Sequence, residues 1–141
     1  MQLSGTELDR SGRSRAMRRA TRSPELKSMM REPPLTERLR IAVSALGATS
    51  TIGLEGEWDF AGEPAASRAI AKTLERRPER LVLDLSRLAF MDSSGVNAAI
   101  QLWARSHTEN FQLAIVPGPR AVQRVFDICH VTEALPFVAS A

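Results

Sequence analysis

The chain has 141 residues, 43% of them hydrophobic and 25% charged, which is the balance of a single globular domain. No apolar run approaches the roughly 18 residues of a membrane span, no secretory signal core opens the sequence, and one cysteine excludes an internal disulfide. Residues 41–141 carry 9 Lys and Arg against 11 Asp and Glu, which argues against a nucleic-acid-binding domain with a basic face. Because no secretory signal core opens the sequence, we expect a cytoplasmic protein.

Residues 1–38 differ from the rest of the chain in charge and in pattern. Residues 1–40 hold 10 Lys and Arg but only 5 Asp and Glu, and their apolar residues follow neither strand nor helix periodicity. We therefore predict a disordered basic N-terminal extension over residues 1–38 and a folded domain over residues 39–141. The extension is either a basic arm that contacts nucleic acid or membrane or, as we expect, a solvated segment that folding does not need.

Two alternating segments at the start of the domain predict a β-hairpin. Leu39, Ile41 and Val43 alternate with polar or small residues, and residues 51–55 form a second strand-like run. Glycine and small residues at positions 47–50 supply the turn between the two segments.

Helices and strands alternate in the remainder of the domain. We predict a helix from Pro64 to about residue 76, a central strand at 81–85, a helix from 92 to about 107 and a strand at 111–115. Another helix follows residue 118, with Cys129 as a small core residue on its apolar face, and residues 135–138 form a last short strand. This order indicates an α/β fold, with helices packed against a mixed β-sheet of four to five strands.

Two faces of the helix predicted at 92–107 have opposite character. Four apolar residues at helical spacing form a stripe that we expect to face the core, namely Val96, Ala99, Ile100 and Trp103. Four polar residues share another face, namely Ser94, Asn97, Gln101 and Arg105. This polar face is a candidate docking surface, and the alternative is an ordinary solvated face.

The start of this helix carries the residues best suited to regulation. A buried strand ends, a short apolar loop follows, and the helix opens with Asp-Ser-Ser-Gly at residues 92–95. Asp92 and Ser93 are both good N-cap residues, and a helix N-terminus offers free N–H groups and the positive end of the helix dipole. A phosphate would be tolerated there, and Ser93 would be exposed enough to enter another protein's active site. The simpler alternative is that these residues only cap the helix.

A nucleophilic role for Ser93 lacks support in the surrounding sequence. The chain has no G-x-S-x-G elbow, and His107 lies 14 residues on, about 21 Å away at about 1.5 Å per helical residue. His130 has no evident acidic partner, and the sequence contains no phosphate-binding glycine loop and no metal-ligand cluster. We therefore expect a protein that is not an enzyme and that needs neither a cofactor nor a metal.

Three segments resemble the STAS domain of bacterial anti-sigma factor antagonists. The family has a strand ending in Asp-Leu, a spacer with a Phe, and then Asp-Ser-Ser-Gly, which correspond here to residues 84–85, 90–91 and 92–95. Gly-Glu-Trp-Asp at 56–59 resembles the family's Gly-Glu-Leu-Asp, and residues 120–127 resemble its late helix. The resemblance spans about residues 39–138 and implies the STAS fold.

The resemblance also implies a switch between protein partners. A family member binds an anti-sigma factor that is also a serine kinase and thereby frees the sigma factor. The kinase phosphorylates the first serine of the motif, here Ser93, and a phosphatase restores binding. Phosphorylation adds about −1.5 to −2 of charge beside Asp92 in the contact surface. The residues expected to contact the partner are Asp59, Asp92, Ser93, Ser94, Gly95, Asn97 and Gln101.

Departures from the family pattern leave other interpretations open. Asn97 stands where members often have Gly, and Trp58, in place of the usual Leu, could be core or exposed. Asp59 and Asp84 could lie near Ser93, although a cap and a turn are the simpler roles. The chain ends about where a final helix would begin, which could expose a sheet face or favour a homodimer.

The alternative function is that of a non-switching STAS module. Such a module would be an assembly or scaffold subunit of a lipid-transport or signalling complex. Ser93 would then be a helix cap. Both functions share one fold, so the fold alone does not distinguish them.

Overall fold

Three helices and four strands make up residues 38–139, the part of the chain that the computed structural model describes. In chain order they are β1 (Leu39–Leu46), β2 (Thr49–Trp58), α1 (Glu63–Leu74), β3 (Arg80–Met91), α2 (Ser93–Thr108), β4 (Gln112–Val116) and α3 (Arg120–Ile128). None of these helices is long and apolar enough to cross a membrane. The predicted extension at residues 1–38 lies, apart from its last residue, outside the described residues.

The four strands form one mixed sheet in the order β1-β2-β3-β4, which confirms the predicted α/β fold. β1 and β2 are an antiparallel hairpin closed by a tight turn at residues 47–48, whereas β2, β3 and β4 are parallel. Parallel neighbouring strands need a crossover connection, here α1 between β2 and β3 and α2 between β3 and β4. Both crossovers step in the same direction across the sheet, so their right-handed sense places α1 and α2 on the same face. Instead of the predicted fifth strand there is a single bridge between Ile115 and Phe137.

The alternating side chains of β3 show where the core lies. Leu81, Leu83 and Leu85 are fully buried, whereas Val82 and Asp84, which point to the opposite face, are half-buried. The core therefore lies between one face of the sheet and the helices, and the other face is partly open. The strand predicted at residues 81–85 is confirmed as an interior strand of the sheet.

β2 and β3 run further than the sequence predicts. They continue to Trp58 and Met91, so the apolar loop expected after residue 85 is part of β3. The pairing register between the two strands shifts twice, at residues 53–55 and at residues 56–57 of β2. β-bulges change which face the later side chains occupy, and for that reason a strict alternation of apolar residues does not follow the strand through them.

The buried stripe of α2 is rotated relative to the predicted one. It consists of Gly95, Val96, Ala99, Leu102 and Ser106. Ile100, which we expected to face the core, is 37% exposed, and Trp103 is half-buried. Successive residues of a helix lie about 100° apart around its axis. A small rotation of the helix about that axis, set by the elements packed against it, therefore buries residues on one side of the stripe and exposes those on the other.

The apolar face predicted for the last helix is too long by one residue. Val122 and Phe126 are fully buried, but Cys129 is exposed, so the expectation of a core cysteine is wrong. α3 ends at Ile128, and His130 has a positive φ of 62° that turns the chain. Cys129 is the C-cap and its N–H still donates to the carbonyl oxygen of Val125 over 3.1 Å, so it is exposed because it lies at the uncovered end of the helix, although it keeps the helical spacing.

Candidate functional site

The carboxyl ends of β2 and β3 lie side by side at one end of the sheet. Trp58, the last residue of β2, pairs with Met91, the last residue of β3. The backbone N–H of Asp92 donates to the carbonyl oxygen of Trp58 over 3.1 Å. Because the strands are parallel, the loops that follow them start side by side. The loop at residues 59–62 begins with the last residue of the motif at 56–59, and the start of α2 beside it is the motif at 92–95.

Asp59 holds the first of these loops in a tight turn. Its Oδ1 atom accepts hydrogen bonds from the backbone N–H groups of Ala61 and Gly62, each over 3.1 Å. Asp84 makes a similar local contact, because its Oδ1 accepts from the backbone N–H of Ser86 over 2.9 Å. Aspartates that bond the backbone just ahead of them stabilise turns and bends. Both carboxylates therefore have the local structural roles that we considered the simpler ones.

Asp92 connects the start of α2 to the loop at residues 59–62 through one carboxylate. Its Oδ1 accepts from the backbone N–H of Ser94 over 2.8 Å, and its Oδ2 accepts from the backbone N–H of Phe60 over 3.2 Å. The N–H of Gly95 donates to the carbonyl oxygen of Asp92 over 3.1 Å. The expectation of free N–H groups is therefore wrong at residues 94 and 95, because the N-cap residue already occupies them.

Ser93 is the first residue of α2, and its side chain is exposed. Asp92 is the N-cap, so the alternative in which Ser93 caps the helix is wrong. Within residues 38–139 the hydroxyl of Ser93 makes no hydrogen bond. A free hydroxyl on a rigid helix end is accessible to another protein, and the helix needs it for no structural purpose.

The other polar residues proposed along α2 share the face of Ser93. Ser94 is half-buried, whereas Asn97 and Gln101 are exposed. Further along the helix, Arg105 forms an ion pair with Glu109 over 2.8 Å. The predicted polar face is thus present as a continuous surface that starts at Ser93.

Gly95 is buried on the opposite side of the same helical turn. A Cβ atom at this position would lie 2.5 Å from both Cγ and Sδ of Met91 and 3.3 Å from Cδ2 of Trp58. Only glycine allows the first turn of α2 to lie this close to the ends of both strands. Gly95 therefore acts on the site through packing, because it fixes the position of Ser93 relative to the first loop.

Gly95→Val should lower the free energy of unfolding by about 2 kcal/mol, since it forces extra carbon atoms into a filled space. Asn97→Val is the matched control, because it places the same side chain on the exposed face of the same helix and should cost at most about 0.5 kcal/mol. Urea denaturation followed by circular dichroism measures both values. Equal losses in the two variants would show that residue 95 is not tightly packed.

Trp58 belongs to the core, which answers the question left open by its replacement of the family's leucine. Its side chain is fully buried, and its Nε1 donates to Oε1 of Glu63 over 3.1 Å, which ties the end of β2 to the start of α1. Two residues earlier, Gly56 has a φ of 101° at the bulge, and a Cβ there would collide with the carbonyl oxygen of Arg38. The Gly-Glu-Trp-Asp motif therefore encodes a bulge followed by a core anchor.

Two exposed phenyl rings on segments that adjoin Asp92 were not predicted as contact residues. Phe60 is 73% exposed, and its backbone is held by the carboxylate of Asp92. Phe90, which is 48% exposed, lies two residues before Asp92 and pairs with Glu57 across the sheet. The sequence signal for Phe60 was available, because an aromatic residue in a short loop of small and acidic residues has no core to enter.

His107 lies at the opposite end of α2 from Ser93. Its Nδ1 is 2.9 Å from the carbonyl oxygen of Trp103, and its ring stacks edge-on against the Trp103 ring with centroids 4.4 Å apart. Ser93 and His107 belong to one α-helix of 16 residues, Ser93–Thr108. The distance argument against His107 as a base for Ser93 therefore applies to the structure as well.

The family follows from a match to the model of the STAS domain, which covers residues 40–140. That range includes both loops of the site and nearly all of the described sheet and helices. The chain belongs to the STAS family. Its mixed sheet and helices are therefore those of a STAS domain.

Solved structures share the STAS fold at low sequence identity. An anti-sigma factor antagonist from Mycobacterium paratuberculosis aligns with a TM-score of 0.60 and 22% identity, over 70% of this chain and 84% of that one. SpoIIAA in its unphosphorylated form aligns with a TM-score of 0.63 and 18% identity, over 72% of this chain and 89% of that one. The phosphorylated form of the Bacillus cell fate determinant SpoIIAA aligns with a TM-score of 0.58 and 17% identity, over 72% of this chain and 92% of that one. Mglu gives 0.56 and 23%, over 74% of this chain but 26% of its own.

Proposed function

We propose that this STAS protein is an anti-sigma factor antagonist. It binds an anti-sigma factor that is also a serine kinase and so releases a sigma factor in the cytoplasm. Phosphorylation of Ser93 by that kinase ends the binding, and a phosphatase that acts on phospho-Ser93 restores it. In this function the chain is a binding partner and a kinase substrate, with no catalytic residue of its own and no direct contact with nucleic acid.

The observation that carries the proposal is the state of Ser93. It is exposed at the first position of α2, while Asp92 does the capping that would otherwise explain a serine there. The rigid loop contacts around Asp92 hold the hydroxyl at a fixed place on the surface. A kinase can reach such a serine without unfolding the domain. SpoIIAA, which has this fold, exists in a phosphorylated and an unphosphorylated form.

The hydrogen bonds of Asp92 explain how a phosphate would act. The N–H groups of Ser94 and Gly95 are already bonded, so a phosphate on Ser93 would not be neutralised by them. Its charge of about −1.5 to −2 would remain on the surface, beside the carboxylate of Asp92. A partner would have to desolvate that charge on docking, which weakens the complex and leaves the fold intact.

The proposed contact surface combines the predicted residues with the two phenyl rings. Asp59 and Asp92 shape the loops, Gly95 positions the helix, and Ser93, Ser94, Asn97 and Gln101 present polar groups to the partner. Phe60 and Phe90 add apolar area, of the kind that dominates the energy of many protein interfaces.

The direct test is phosphorylation of the full chain. The purified protein is incubated with ATP and with each anti-sigma factor kinase of the source organism, and mass spectrometry locates the phosphate. We expect one phosphate on Ser93, its loss in Ser93→Ala and its retention in Ser94→Ala. A phosphate on Ser94 with Ser93 unmodified would contradict the assignment.

A second candidate function is a non-switching STAS module in a larger assembly. The alignment with only about a quarter of the Mglu chain, 26%, supports it, because the same fold there forms part of a longer protein. Under this function no kinase modifies Ser93, and Ser93→Asp has no effect on assembly. The phosphorylation experiment therefore separates the two candidates.

Phe60→Ala should weaken binding of the anti-sigma partner by about tenfold or more without lowering stability. The ring is 73% exposed, so its removal leaves no cavity, and the bond from residue 60 to Asp92 is made by the backbone. Buried aromatic anchors often contribute about 2 kcal/mol or more to an interface. Ile128→Ala, which removes a 66% exposed side chain from the end of α3, is the control. Calorimetry that finds equal affinities for both variants would exclude Phe60 from the interface.

A further inference from the structure

Among residues 38–139, one edge of the sheet is covered and the other has no further strand beside it. At the β4 edge, the N–H of Ile115 donates to the carbonyl oxygen of Pro136 over 3.0 Å, and the N–H of Val138 donates to that of Ile115 over 2.9 Å. At the other edge, β1 pairs only with β2 among residues 38–139. Unpaired backbone groups along a strand are a template for another strand.

The backbone groups of β1 that point outward can be identified from its pairing. The N–H of Glu57 donates to the carbonyl oxygen of Arg38 over 3.0 Å, and the register continues through Arg40 opposite Glu55. In an antiparallel ladder, alternate residues direct both backbone groups to the same neighbour. The even-numbered residues therefore bond to β2. The residues of β1 whose N–H and C=O groups face outward are therefore Leu39, Ile41, Val43 and Ala45.

The chemistry of β1 does nothing to prevent pairing with a further strand. Residues 41–48 contain no charged side chain and no proline. Val43 is 45% exposed and Leu46 87% exposed. Natural edge strands usually avoid pairing through a lysine, a proline or a bulge, and the outer side of β1 has none of these. The uncharged stretch from Ile41 to Leu46 can also meet an identical stretch without repulsion between like charges.

We infer that β1 pairs with β1 of a second copy of this chain, antiparallel and around a two-fold axis at Val43. This register uses the outward-facing groups of Ile41, Val43 and Ala45, because Ile41 then lies opposite Ala45 of the second copy and Val43 opposite Val43 of the second copy. Two β-branched side chains meet at the axis, which is a favourable cross-strand pair. Arg40 falls opposite Leu46 of the second copy, so no cation faces another along the strand. The two sheets become one continuous sheet, as in other isologous dimers.

The groove beside β1 predicts how salt affects this dimer. Ile41 and Val43 line the groove together with Lys72 and Arg76 of α1. The two-fold axis brings the cations of both copies towards each other, and salt screens such repulsion, with a Debye length of about 8 Å at physiological ionic strength. Association should therefore strengthen when the salt concentration rises from about 0.05 M to about 0.5 M.

Disulfide trapping tests the pairing and its register. In the full chain with Cys129→Ser, Val43→Cys places the two new thiols on a pair whose Cα atoms are about 5.5 Å apart, within disulfide range. Leu46→Cys is the matched control, because in this register the two copies of residue 46 are six positions apart, about 20 Å. Exposure alone predicts the opposite order, since Leu46 is more exposed than Val43. We expect oxidised glutathione to cross-link Val43→Cys and to leave Leu46→Cys monomeric on a non-reducing gel.

Light scattering after size exclusion provides the second measurement. The full chain at about 100 μM should have the mass of a dimer, Val43→Lys that of a monomer, and Ile128→Lys, which adds the same charge at an exposed apolar residue of α3, that of a dimer. Circular dichroism should show that all three are folded. A monomeric full chain, equal cross-linking of the two cysteine variants, or a monomeric Ile128→Lys would each overturn the inference. None of these results depends on Ser93 or on the proposed anti-sigma partner.

Discussion

Ser93→Asp should fold as the wild type does and bind the anti-sigma partner at least about tenfold more weakly, a loss of about 1.4 kcal/mol or more. A carboxylate in the first turn of a helix is favourable, so the domain keeps its stability. The N–H groups of Ser94 and Gly95 are bonded to Asp92 and do not neutralise the new charge. The charge therefore stays in the contact surface, where docking must remove its water.

Two control variants isolate the effect of charge at this position. Ser93→Ala should bind as the wild type does and resist the kinase, because a methyl group adds no charge and Asp92 still caps the helix. Gln112→Asp adds a carboxylate at an exposed position at the start of β4. Gln112 pairs with Arg80 at the start of β3, whereas the site lies at the other end of β3. It should leave binding unchanged.

Calorimetry and circular dichroism of the three variants decide the outcome. Wild-type affinity in Ser93→Asp would show that charge at this serine is not the switch. Weak binding by an unfolded Ser93→Asp would show that Ser93 is primarily structural. Weak binding by a folded Ser93→Asp, with both controls normal, is the result that the geometry around Asp92 predicts.

Trp58→Ala should lower the free energy of unfolding by about 3–5 kcal/mol, which is the usual cost of truncating a fully buried aromatic residue. The side chain has no exposure, bonds Glu63 through its indole N–H, and lies against the helix at Gly95. Because domains of this size are typically stable by only about 5–15 kcal/mol, a large part of the stability would be lost.

Trp103→Ala provides the comparison for this second prediction, since it removes the same ring from a half-buried position on α2. It should cost clearly less than Trp58→Ala, because part of the ring is already in contact with water. Trp58→Leu, which restores the residue usual in the family, should recover part of the loss by filling part of the cavity. If urea denaturation finds Trp58→Ala no less stable than Trp103→Ala, the role of Trp58 as a core anchor at the end of β2 is wrong.

The sequence alone determined the order of elements, the hairpin and the position of the motif. These features depend on local patterns, such as the alternation at Leu81, Leu83 and Leu85 and the polar start of α2, which the chain displays over a few neighbouring residues. The order of the elements also predicted the mixed sheet, and the family resemblance added the STAS fold; both are confirmed.

Only the tertiary structure decided which residue caps α2 and which side chains surround Ser93. Asp92 bonds the backbone of Phe60, 32 residues away, and that contact depends on the parallel pairing of β2 with β3. The bulges that extend both strands, the rotation that exposes Ile100 and the end of α3 that exposes Cys129 have the same origin. Strand register, helix rotation and burial are set by packing between distant segments, and a local sequence pattern carries little information about them.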